Sequence, residues 1–168
     1  MFLGGLGLGG VLAGRIGDRW FRRDPASPLM LYGCAELLIA VLGLALAFIL
    51  PRLGALSVAI SSYTTGDHNW QELSWISMAL RYLVGAVLLV PSTLLMGATL
   101  TLLIRFVVAN EVEQAGWRVG LLYGLNTLGA AVGCLLTDLA LVPTISILAT
   151  QLAAVGGNLL AGCGALLL

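Results

Sequence analysis

The sequence predicts an all-α fold: a polytopic membrane helical bundle of about five spans, forming one membrane domain over residues 1–168. Three observations carry that expectation. Sixty per cent of residues are hydrophobic and only 10% are charged, whereas a soluble domain carries roughly a quarter charged residues. Mean hydropathy is +1.03. The apolar residues also gather into runs of bilayer length, most of them closed by Pro or Arg. A helix rises about 1.5 Å per residue, so a hydrocarbon core of about 30 Å takes about 20 apolar residues.

The opening run, residues 1–14, "MFLGGLGLGGVLAG", carries six glycines and no charged side chain. At about 1.5 Å per residue it reaches only about 21 Å, so it reads as the truncated second half of a membrane helix. A signal peptide needs basic residues before its apolar stretch, and here they come after it. Gly5-x-x-x-Gly9 and Gly10-x-x-x-Gly14 suit close helix packing in lipid. Leu29–Leu50 supplies the next span, between Pro28 and Pro51, with Glu36 its one charge. Tyr82–Ile104, between Arg81 and Arg105, carries no charge. Pro91 predicts a kink there, with Ser92 and Thr93 placed to satisfy freed carbonyls. Val119–Val142 follows, with Asp138 inside it and Pro143 at its end, and Thr144–Leu168 completes the set without charge.

All eight basic residues are Arg, and they set the orientation. With Arg15, Arg19, Arg22 and Arg23 on the cytoplasmic side, alternation brings Arg105 and Arg118 there as well, leaving Arg52 and Arg81 outside. That asymmetry is the positive-inside bias. Residues 51 to about 75 then form an outer loop, in which Trp70 and Trp75 fit an interfacial belt and the lone His68 is read as solvated. Arg81 snorkels outward. The formal net charge of zero leaves no footprint for nucleic acid.

The chemistry of catalysis is missing. No paired carboxylates, Ser/His/Asp set or metal-ligand cluster stands at a usable spacing, so no catalytic residue, cofactor or metal is expected. Gly5-x-Gly7-x-x-Gly10 matches a dinucleotide-binding spacing by letter, but no strand precedes it. Cys34, Cys134 and Cys163 sit singly in apolar runs and read as small packing residues.

Against this background the string Gly14-x-x-x-Asp18-Arg19-x-x-Arg22-Arg23 resembles the loop between the second and third helices of the major facilitator superfamily, with Phe21 where a second Gly is usual. Two further stretches, "LLMGATLTLLIR" with Gly97 and "VGLLYGLNTLGAAVG" with Tyr123, Asn126, Thr127 and Gly129, resemble a narrower group. Those are fused membrane proteins with a front half like the major facilitator superfamily and a back half like spermidine synthase. Thr101 stands where that group usually has Pro. The resemblance implies an N-terminal half of the major facilitator fold without its first helix. It also implies a link to polyamine biosynthesis at the bacterial inner membrane, with the catalytic domain absent from these residues. The alternatives are a half-unit that transports a small solute after pairing with another half, and an inactive fragment. The expected partners are the lipid bilayer, a second membrane half or a second copy, and a polyamine-synthase-like domain.

Polar groups inside a bilayer are costly, about 3 kcal/mol for a charge on insertion scales. Glu36 and Asn126 each lie about 10 Å from the cytoplasmic end of their spans, and Asn158 approaches that level from the other side. They are expected either to meet as a polar site for an amine or to bond helix to helix. Asp138, near the outer end of its span, reaches water by local distortion. Two contacts are expected as well. Asp18 should pair with an inner-face arginine, Arg105 first, and Gly120, Gly124, Gly129 and Gly133 should mark the tightest helix contact.

Overall fold

The computed structural model describes residues 2–21, 27–65, 71–108 and 114–168. They are almost wholly helical. Helix α1 runs Phe2–Phe21, α2 Ser27–Ala59, α3 Trp75–Val108, α4 Ala115–Leu136 and α5 Val142–Leu167. A five-residue π-helical turn, Thr137–Leu141, joins the last two. A two-stranded antiparallel hairpin, β1 (Tyr63–Thr65) and β2 (Gln71–Leu73), lies between α2 and α3, with Tyr63 opposite Leu73.

Three runs are long and apolar enough to cross a membrane: residues 27–59, 75–108 and 115–167. Five separate spans are not seen. Helix α1 carries Arg15, Asp18 and Arg19 in its C-terminal part. Residues 115–145 run helical through the π-helical turn and Pro143 without a break. Pro143 is the second residue of α5, directly after the π-helical turn, whose last bond runs from the Val142 N–H to the Thr137 carbonyl.

The chain breaks three residues later, at Ser146 (φ 77°, ψ 161°). An L side chain rarely tolerates that region, and Ser146 is the one non-glycine residue with positive φ among those described. The two ends of residues 115–145 lie at opposite ends of the bundle. Arg118 donates to the Val107 carbonyl at 3.1 Å, so α4 starts beside the C-terminus of α3. Ile147, Leu148 and Gln151 share a cavity with Ala47–Arg52 of α2, so α5 starts at the far end. From there α5 runs back antiparallel to α2, with Gly43 opposite Val155 and Gly33 opposite Gly162.

Helices α2 and α3 overrun the expected spans. Residues 51–59 continue α2 through Pro51, where a loop was expected. Pro51 cannot donate to the carbonyl one turn back, and the Arg52 guanidinium donates to the neighbouring Phe48 carbonyl at 3.0 Å. Helix α3 starts at Trp75, seven residues before the expected Tyr82. Its root is held by Ser77, which is fully buried. The Ser77 hydroxyl donates to the Ile60 carbonyl at 2.8 Å and accepts from the Ser62 N–H at 2.8 Å. One side chain thereby ties the end of α2 to the hairpin and to α3. The expected outer loop shrinks to that hairpin; His68 and Trp70 lie outside the described residues.

Alanine dominates the buried apolar residues: Ala13, Ala35, Ala40, Ala47 and Ala165, with Ile39, Leu102 and Val155. Small side chains bring backbones together, which is how helices associate when lipid removes the hydrophobic drive. The buried hydroxyls of Thr93, Thr99 and Thr150 bond back to their own helices, at Val90, Met96 and Ser146.

Candidate functional site: the α1–α3 seam and its charged end

Helix α1 is rich in glycine, which costs about 1 kcal/mol per residue in an ordinary helix. Two conditions favour it here. In lipid every backbone group must bond within its own helix, and the glycines admit a neighbour. Gly5, Gly9, Ala13 and Gly17 recur every four residues and are the buried residues of α1, so they form one face. That face lies on α3, and the two helices run parallel. A Cβ on Gly5 would overlap the Thr93 side chain, one on Gly9 the Leu94 carbonyl, and one on Gly97 the Leu6 carbonyl. Further along, Gly14 lies beside Thr101, and Gly17 beside Leu102 and Arg105.

The seam ends in charge. Asp18 forms an ion pair with Arg105, the partner the sequence put first. Arg15 and Arg19 are exposed on the same last turns of α1. The signature-like residues therefore lie on a helix, where a loop was expected over residues 15–28. Gly14 and Asp18, four apart, share a face there. Arg22 and Arg23 lie outside the described residues. With Asp18 45% and Arg105 37% exposed, water screens the pair, and it contributes at most about 1 kcal/mol.

The other expected residues are spread out. Glu36 is half-buried on α2, one turn from Tyr32. Asn158 of α5 lies level with Ala40, one turn from Glu36, given the pairings of Leu37 with Gly162 and Gly43 with Val155. Asn126, Tyr123, Thr127 and Gly129 all lie exposed on α4, whose main packing partner outside its own continuation is α3. Asn126 is thus not brought to Glu36.

Helix α4 has no buried residue on any side. A Cβ on Gly120, Gly124, Gly129 or Gly133 would meet nothing within 4 Å. The expected tight contact at these glycines is overturned. The close approaches are instead α1 with α3 at Gly5, Gly9 and Gly97, and α2 with α5 at Gly33 and Gly162, where a Cβ on either glycine would lie 3.0 Å from the other's carbonyl oxygen. Glycine spacing shows that a face permits close approach, not that a neighbour comes. Asp138 is exposed within the π-helical turn. Among the described residues no group of three His, Cys, Asp or Glu could hold a metal ion.

No family model, curated protein or solved structure matches the chain.

Proposed function

We propose that the chain is the membrane domain of a spermidine-synthase-like fused protein of the bacterial inner membrane, holding polyamine chemistry at the bilayer. The aminopropyl transfer itself belongs to a separate domain outside these residues. One observation carries the reading. The stretch that resembles the major facilitator loop, around Gly14–Asp18, and one of the two that resemble the fused group, Leu94–Arg105, pack on each other along the α1–α3 seam and close on the Asp18–Arg105 pair. Sequence resemblances at separate sites gain weight when they complement one another in space.

The test uses the chromosomal sequence around the coding region. Expressed with its in-frame flanking sequence, the chain should place aminopropyltransferase activity in the membrane fraction. Activity that is absent, or that stays in the soluble fraction when the 168 residues are present, would end this reading.

A second reading is favoured by the exposure of α4. A half-unit that pairs with another membrane half to move a small solute would have a use for a helix bearing Tyr123, Asn126 and Thr127 with no cover. Copurification of a second membrane half from the same operon, with no aminopropyl transfer, would favour it.

A further inference from the structure

Helices α2 and α5 form a wedge. They touch closely at Gly33 and Gly162 and remain in contact at Gly43 and Val155. Beyond that point they part around a cavity of about 610 Å³ lined by Phe48, Leu50, Pro51, Arg52, Leu148 and Gln151. Two backbone irregularities border it: Pro51 lines the cavity from α2, and the non-helical Ser146 immediately precedes Ile147, which lines it from α5. Its volume lies within the roughly 300–1,000 Å³ of small-molecule sites.

We propose that this cavity binds an amphiphile with one anionic head group, a carboxylate or a phosphate, on an apolar chain. Most of the wall is apolar, and Arg52 and Gln151 supply the polar groups. Arg52 stands two residues past the apolar run Leu29–Leu50, and a long arginine side chain there can carry its charge to an interfacial head group. Its bond to the Phe48 carbonyl, 3.0 Å, folds the guanidinium back along α2 and occupies one of its five donors. The others are free to face an anion, which guanidinium groups bind in a two-pronged fashion. Gln151 is half-buried on α5, and its amide has no hydrogen bond to any described residue. That amide can donate to an acceptor-rich head group in the cavity. A cationic head would be repelled by Arg52, and a plain alkyl chain would leave both polar groups unused. The site is independent of the family reading above.

The test places the full chain in phosphatidylcholine nanodiscs with Phe48→Trp as reporter and bromine quenching as readout. The probes are dibromostearate, at a pH where it is ionised, and the dibrominated alcohol of the same length. The acid should quench at a concentration at least tenfold lower than the alcohol, and Arg52→Gln should erase that difference. Gln151→Leu should weaken the acid about threefold or more, and it supplies the answer if Arg52→Gln fails to fold. Arg81→Gln should leave the acid's affinity unchanged. Dibrominated phosphatidylglycerol separates the two sources: quenching at a lower mole fraction than the fatty acid assigns the site to a phospholipid, and the reverse assigns it to a free acid. Equal quenching by acid and alcohol, or an equal loss in Arg81→Gln and Arg52→Gln, overturns the proposal.

Discussion

The carboxylate of Asp18 pairs with the guanidinium of Arg105 across two parallel helices, at the end of a seam that brings backbones together at Gly9 and Gly97. The pair is half-exposed, so it fixes where the seam ends more than it holds the helices together. A double-mutant cycle with Asp18→Asn and Arg105→Gln should give a coupling of about 1 kcal/mol or less. Thermal melting of the purified protein measures it. Additive losses in the double variant would mean that the two side chains do not interact in the folded protein.

The seam itself should be far less tolerant. In Gly9→Ala and Gly97→Ala the new methyl meets main-chain atoms, which cannot rotate aside. Overpacking of this kind costs typically 1–3 kcal/mol, so both variants should melt well below the parent. Gly124→Ala and Gly129→Ala add a methyl to open space and should be neutral, or stabilising by up to about 1 kcal/mol from helix propensity. A reversed order of the two groups would remove the seam from the account of stability.

Ser146 offers a test of the break in the last helical run. Its φ of 77° and ψ of 161° lie in a region that only glycine adopts freely. Ser146→Gly should raise the melting temperature, with a stability gain on the order of 1 kcal/mol, and Ser146→Val should lower it. Stabilisation by valine would mean that the backbone at 146 is helical.

Ser77 should be the sensitive position in the outer hairpin. Its hydroxyl bonds to Ile60 and to Ser62 with no exposure to solvent. Ser77→Ala leaves the Ile60 carbonyl and the Ser62 N–H without this partner at a part-buried site, a loss of about 1 kcal/mol. Limited proteolysis of the hairpin measures the effect, and cleavage should quicken relative to Ser62→Ala. An unchanged rate would show that the hairpin is held by other contacts.

Orientation follows from the arginine asymmetry together with the bundle's two ends. In a background without its native cysteines, a Cys at Tyr63 should react with an impermeant maleimide on intact cells, and a Cys at Gln114 only after lysis. Both residues are exposed, so failure to label is not a matter of burial. The opposite pattern would invert the bundle.

The sequence by itself pointed to lipid and to helices, because unbroken apolar runs of bilayer length can satisfy their backbone bonds within themselves as helices. It also put Arg105 first among the partners of Asp18, since both stand at helix ends on the side that the arginine asymmetry makes cytoplasmic, and the structure pairs them. Helix lengths were legible only in part. Proline marks where a helix loses a bond, yet α2 runs through Pro51 and the chain stays helical through Pro143, breaking only at Ser146. Which glycines make contact was decided by tertiary structure alone. Gly9 and Gly124 each stand four residues from another glycine, but only Gly9 has a helix against it. The separation of Asn126 from Glu36 and Asn158 was equally invisible, because depth along a helix follows from residue number whereas the direction a helix faces follows from its packing.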